Sequence, residues 1–150
     1  MKKKIISALT LICAAAVLSS LAGCGGTTKT PASVADGTYT AKSAMREADE
    51  DGNGAGYGEV ELTVSGNKVV SCQFKTYEPD GTLKDESYGS DMSKENRMKA
   101  QKAVQAADKY AEMLTESGTL DGVDAVSGAT VNYEEFVEAV NAALQQGAEG

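Results

Sequence analysis

"GEVELTVSGNKVVSCQFKT", residues 58–76, is the stretch that sets the architecture. Val60, Leu62 and Val64 alternate with Glu59, Glu61 and Thr63. After Ser65-Gly66-Asn67-Lys68 the alternation resumes, with Val70, Cys72, Phe74 and Thr76 set against Ser71, Gln73 and Lys75. Successive side chains of a strand point to opposite faces, so each run predicts one apolar and one wet face. Gly66-Asn67 suits the tight turn between them, because glycine takes positive φ freely. The stretch is therefore a β-hairpin. Cys72 falls on its apolar face and is expected to be a buried, unreactive thiol.

Working outward, "GTYTAKS" at residues 37–43 predicts a short strand before the hairpin. Pro79-Asp80-Gly81 is a turn signal, and "TLKDESY" at 82–88 is expected to add a further strand. Then the period changes. Ala100, Ala103, Val104, Ala107, Tyr110, Ala111 and Leu114 recur at helical steps, predicting one helix from about Ser93 to Ser117. Ser93 is a suitable N-cap and Gly118 a suitable stop. Phe136, Val137, Val140, Ala143 and Leu144 mark a second helix, with Asn132 and Glu135 as a variant capping box at its start. The expected fold is α+β: a small antiparallel meander of about four strands with two helices packed against it.

The chain opens with Lys2, Lys3 and Lys4, an apolar run from Ile5 to Leu18, and small residues up to Cys24. This has the form of a secretory signal and is short for a membrane span, which takes about 20 residues. Leu21-Ala22-Gly23-Cys24 resembles the bacterial lipoprotein box. That resemblance implies cleavage before Cys24 and acylation of its thiol, palmitate included, on the extracellular face of the cell membrane. Residues 1–23 are thus expected to be a signal peptide, 24–35 the lipidated Cys and a flexible tether, and 36–146 the domain.

Loss of residues 1–23 lowers Lys+Arg from 14 to 11 and leaves all 22 acids, taking the formal charge from −8 to −11. Such a chain is a poor nucleic-acid binder and is repelled by anionic lipid, so no nucleic-acid partner is expected and the acyl chains are the expected membrane attachment. Cys72 would be the one thiol left, so no disulfide is expected within the chain.

Asp49, Asp51, Asn53 and Gly54 match the first, third, fifth and sixth positions of an EF-hand loop, but the twelfth is Val60 rather than Glu. Strand also follows where helix is required. The segment is expected to be a glycine-rich, solvated connection, and no metal is predicted. The chain contains no His, which removes histidine ligation of haem or zinc and nucleophile pairs that use an imidazole base.

"DAVSGATVNYEEF", residues 124–136, puts a Ser-Gly-Ala-Thr run just before the second helix. Free N–H groups and the helix dipole make such a place an anion site, although the run could equally be a plain turn. Glu134 and Glu135, expected in the first helical turn, would repel a diffusing phosphate. A covalently held phosphate escapes that objection.

Asp124-Ala125-Val126-Ser127-Gly128-Ala129-Thr130 resembles the D-x-x-S/T-G-A-T signature of FMN-binding domains. These include flavin subunits of sodium-pumping NADH:quinone oxidoreductase and Rnf complexes. The single-domain lipoprotein form, associated with flavin-based extracellular electron transfer, looks most similar. The resemblance runs over roughly residues 36–145, with Asp36-Gly37-Thr38-Tyr39 and Gly56-Tyr57-Gly58 as weaker parts. It implies that a flavin transferase attaches FMN by a phosphoester to Thr130. Asp124, Ser127, Gly128 and Ala129 would be the segment the transferase reads. Val131-Asn132 departs from the hydroxyl residue many members have after the threonine, which puts one phosphate contact in doubt but not the attachment atom. Tyr57, between two glycines where backbone can approach a ligand, is a candidate for ring contact.

The expectation is a non-enzymatic electron carrier, lipid-anchored at Cys24. It would take electrons from a membrane donor (a quinone or dehydrogenase) and pass them to an extracellular acceptor through the flavin rather than Cys72. The competing class is a non-redox surface lipoprotein: a binding module or the precursor of a signalling peptide ending at Gly23.

Overall fold

Period-two patterning forms one antiparallel sheet, β1 (Gly37–Lys42), β2 (Tyr57–Ser65) and β3 (Lys68–Tyr77), in that order. The computed structural model describes residues 33–148; the leader at 1–23, Cys24 and most of the expected tether lie outside the described residues. Gly66 (φ 60) and Asn67 (φ 62) both take left-handed backbone, the geometry that joins twisted strands in two residues. Asn67 also accepts the Val34 N–H through its side-chain oxygen at 2.9 Å.

The hairpin departs from strict alternation at one point. Val64 pairs with Val69 and Thr63 with Ser71, so Val70 is the extra residue of a β-bulge. Val70 is consequently 50% exposed, and Val69 takes the inward place expected for it. Cys72 still faces inward but is half-buried, and burial pushes its thiol up to about 12. The expected fourth strand reduces to a single bridge between Leu83 and Tyr77. The physical cause is Asp85, whose carboxylate accepts from the Ser87 N–H (2.8 Å) and hydroxyl (2.6 Å) and bends the chain away. The sheet has three strands.

α1 (Lys94–Ser117) begins and ends where its sequence signals stand. Ser93 Oγ accepts the Asn96 N–H at 3.3 Å, and Gly118 closes the helix at φ 75. α2 (Thr130–Ala148) starts earlier than an Asn132 cap predicts. Asn132 lies inside the first turn and donates to the Ala103 carbonyl of α1 at 3.0 Å, tying the helices together. Glu135 is not the reciprocal arm of a capping box; it is 2% exposed.

Both helices cover the same sheet face, α1 against β3 and α2 against β1 and β2. Phe136 is fully buried between the Phe74 ring, met edge-on at 5.0 Å, and the Tyr110 ring, stacked at 5.6 Å. Val60, Leu62, Leu114 and Val140 complete the centre. The packed unit begins inside the stretch expected as tether: Val34 is buried, and the Ala35 N–H donates to the Gly147 carbonyl at 3.0 Å. Among the described residues no helix is long and apolar enough to cross a membrane.

Candidate functional site

The Ser-Gly-Ala-Thr run is a turn that delivers Thr130 to the first position of α2, with its side chain in solvent. The Ala129 N–H donates to the Val126 carbonyl at 3.0 Å, with Ser127 and Gly128 between. Gly128 has φ 77, so this corner favours glycine. A Cβ there would also lie 3.0 Å from the Lys102 ammonium, which places a cation from α1 against the turn. Asp124, Ser127 and Gly128 are exposed, and Ala129 is buried.

Tyr110 braces this turn from below. Its ring is fully buried, and its hydroxyl accepts the Val126 N–H at 3.0 Å while donating to the Ala129 carbonyl at 3.0 Å. One side chain of α1 therefore holds both ends of the motif turn. Helical spacing marks Tyr110 as core, but nothing local to it identifies hydroxyl partners 16 and 19 residues away. Tyr110→Phe keeps the ring and leaves two backbone groups without that partner. A loss of about 1–3 kcal/mol is expected in urea unfolding, with faster hydrogen exchange at the Val126 amide. Unchanged stability and exchange would count against the brace.

The acids expected to repel phosphate are placed otherwise. Because α2 starts at Thr130, its first turn carries no acid. Glu134 is paired with Arg46 at 3.2 Å, and Glu138 meets the same guanidinium at 3.8 Å. Glu135 points inward, and burial raises its carboxyl above the ordinary value, opposed by the charges of Lys84 and Arg46.

Next to the turn is a cleft of about 70 Å³. Its rim is the Gly52–Gly54 loop, one wall is the Asn96–Val104 end of the α1 stripe, and its other parts include Thr76, Lys84, Tyr88, Ala129 and Glu135. Ala100, Ala103 and Val104, expected as core, are half-buried because they form this wall. The loop is shaped by Asp49, whose two oxygens accept the Asn53 N–H (2.9 Å) and side-chain amide (2.7 Å). Lys84 is half-buried with its ammonium 5.1 Å from the Tyr88 ring centre, and burial lowers its pKa.

Tyr57 is not brought together with Thr130. Its ring lies on the sheet face away from the helices, stacked on Tyr77 at 5.3 Å with the Lys42 ammonium 4.8 Å above it. The tyrosine that lines the cleft is Tyr88. Sequence reasoning placed it on a strand, where its direction toward α1 has no signal.

A raised Glu135 carboxyl means that the folded protein binds this proton more tightly than the unfolded chain does. The ionised form therefore reduces stability above the ordinary carboxylate range, and that loss disappears as pH falls and both states protonate. Glu135→Leu should raise Tm, and the gain should be larger at pH 8 than at pH 4. A gain that did not grow with pH would refute the assignment.

The chain matches the family model described as "FMN-binding domain" over residues 53–145. A crystal structure of the CPE2226 protein from Clostridium perfringens shares the fold, with TM-score 0.58 and 21% identity, covering 79% of this chain and 92% of that one. No curated protein matches. The site fits the phosphate end of such a cofactor: an exposed threonine hydroxyl at a helix start, a glycine corner without a Cβ, and a lysine beside it.

Proposed function

Because this chain belongs to the FMN-binding domain family, we propose that it carries FMN covalently on Thr130 and works as an electron relay. The observation that carries the reading is the exposure of Thr130 on a turn braced by Tyr110 and flanked by Lys102. Thr130 has no imidazole beside it to make it a nucleophile, so the attachment is the work of a separate flavin transferase. In that step FAD is the donor: the threonine oxygen bonds to the FMN phosphorus, the pyrophosphate linkage breaks, AMP leaves and the hydroxyl proton is lost. Asp124, Ser127, Gly128 and Ala129 are the segment read. The helix N-terminus and Lys102 then offset the charge of the diester.

Bound FMN supplies reversible electron chemistry that the side chains of this protein lack. The protein's own part is to hold the phosphate end rigidly and keep the group at the surface, within reach of a donor and an acceptor. The cleft is far below the roughly 300 Å³ of an ordinary small-molecule pocket, so a ring system would be enclosed only in part. Intact-mass analysis of protein produced with a flavin transferase, followed by peptide mapping, tests the attachment. The expected result is one FMN phosphodiester on the Thr130 peptide; an unmodified Thr130 peptide rejects the proposal.

The anchor belongs to the same reading. With Cys24 acylated and residues 1–23 removed, the domain would stand outside the cell membrane, between a quinone or dehydrogenase donor and an extracellular acceptor. Cys24→Ala is expected to move the protein from the membrane fraction to the medium, or to leave it unprocessed. Unchanged fractionation would mean another form of attachment.

A further inference from the structure

The floor of the cleft holds two ionisable groups without hydrogen-bond partners. Glu135 is 2% exposed, and what bears on its carboxyl is burial and distant charge rather than any donor. Lys84, likewise, is affected by burial and by the charges of Glu135 and Glu78, with no acceptor on its ammonium. The two do not form an ion pair: among the described residues, the pairs within 4.0 Å are Lys42–Glu59, Arg46–Glu134 and Arg46–Glu138. A buried carboxyl and a half-buried ammonium that line one cleft, farther apart than an ion pair, gain from a polar group that meets both.

Both groups face a space of about 70 Å³, which at roughly 30 Å³ per water admits two or so small polar groups. That is room for the edge of a ring, not for the ring. Carboxylate beside ammonium calls for N–H beside C=O, which is the edge of an imide. The isoalloxazine of a flavin presents such an edge at N3–H and its flanking carbonyls.

We propose that Glu135 and Lys84 are the specificity pair for an imide edge, the carboxylate accepting N3–H and the ammonium donating to an adjacent carbonyl. The proposal rests on the reading of Thr130 as the flavin-bearing residue, whose chain neighbours Ala129 and Val131 line the same cleft. It adds what the tethering threonine lacks, a means of recognising the far end of the cofactor.

The two claims separate in one experiment, because recognition of the edge does not require the covalent bond. Full-length Thr130→Val protein, which cannot be flavinylated at that position, is titrated with riboflavin and with N3-methylriboflavin, and binding is read from flavin fluorescence. Riboflavin should bind, and methylation should weaken it about tenfold or more, the effect of removing a hydrogen bond to a charged group. Adding Glu135→Leu should abolish the difference between the two ligands. Adding Lys84→Met should weaken both alike and keep the difference, a pattern that a general folding defect does not produce. Uridine 5′-phosphate, which has the imide without the flavin ring, should bind about tenfold or more weakly than riboflavin, because it lacks the ring's apolar surface.

The proposal is overturned by equal affinity for riboflavin and its N3-methyl form, by no riboflavin binding, by discrimination surviving in Glu135→Leu, or by uridine 5′-phosphate binding as tightly. An unmodified Thr130 in the mass analysis would remove the tether and leave these affinities to be judged separately.

Discussion

Thr130→Val protein, made beside a flavin transferase, is expected to come out colourless, with the mass of the bare chain. The substitution keeps the β-branched shape at the first position of α2 and removes only the oxygen, so the helix start should be preserved. Far-ultraviolet dichroism and Tm should stay near those of the unflavinylated parent, since an exposed site contributes within about 0.5 kcal/mol. Whole-cell reduction of ferric iron that depends on this protein should fall to background. Cys72→Ala is the matched control. Its thiol is half-buried, with burial holding the proton on, and should be dispensable for electron transfer. Retention of the rate in Thr130→Val with its loss in Cys72→Ala would replace the flavin by the thiol.

The largest effect on folding is expected at Phe136. Its ring is fully buried, stacked on Tyr110 and met edge-on by Phe74, so it joins both helices to the sheet. Phe136→Ala should cost about 3–5 kcal/mol, combining lost burial with the remaining cavity. Small domains have roughly 5–15 kcal/mol in total, so the urea midpoint should drop severely or the protein should not fold. The consequence reaches the site, because Phe136 backs the ring whose hydroxyl holds the Val126–Ala129 turn. Val137→Ala, next along the helix and only half-buried, should cost much less. Similar losses for the two would contradict this account of the core.

What could be read from the chain was what is encoded locally. The Gly66-Asn67 turn, the Ser93 cap and the Gly118 stop depend on a few adjacent residues, and each stands where the sequence puts it. The D-x-x-S-G-A-T run likewise lies at the start of a helix, within the matched FMN-binding domain. What escaped depends on partners far along the chain. The bulge at Val70 arises from pairing with β2, and two adjacent valines give no sign of which turns inward. Asn132 has the composition of a cap, but the Ala103 carbonyl gives its amide another use. Glu135 looked like a solvated first-turn acid because its burial depends on where the sheet and Lys84 come to lie. Tyr57 was singled out for its glycine neighbours, yet strand alternation sends its ring to the opposite sheet face.

α2 also works as a measuring rod. The chain enters the domain beside Gly147, where the Ala35 N–H meets its carbonyl, while Thr130 stands at the other end of the same helix. Seventeen steps of about 1.5 Å separate them, roughly 26 Å along the axis. From Cys24 to Val34 a fully extended backbone spans at most about 35 Å. In a protein rooted at Cys24, a flavin on Thr130 would therefore occupy the pole opposite the root. A tether that is flexible, as its composition suggests, would serve as a leash long enough for the domain to tip over. Collecting electrons at the bilayer would require that pole to swing down, and delivering them would require it to swing back. Shortening the leash should then slow collection before it affects delivery.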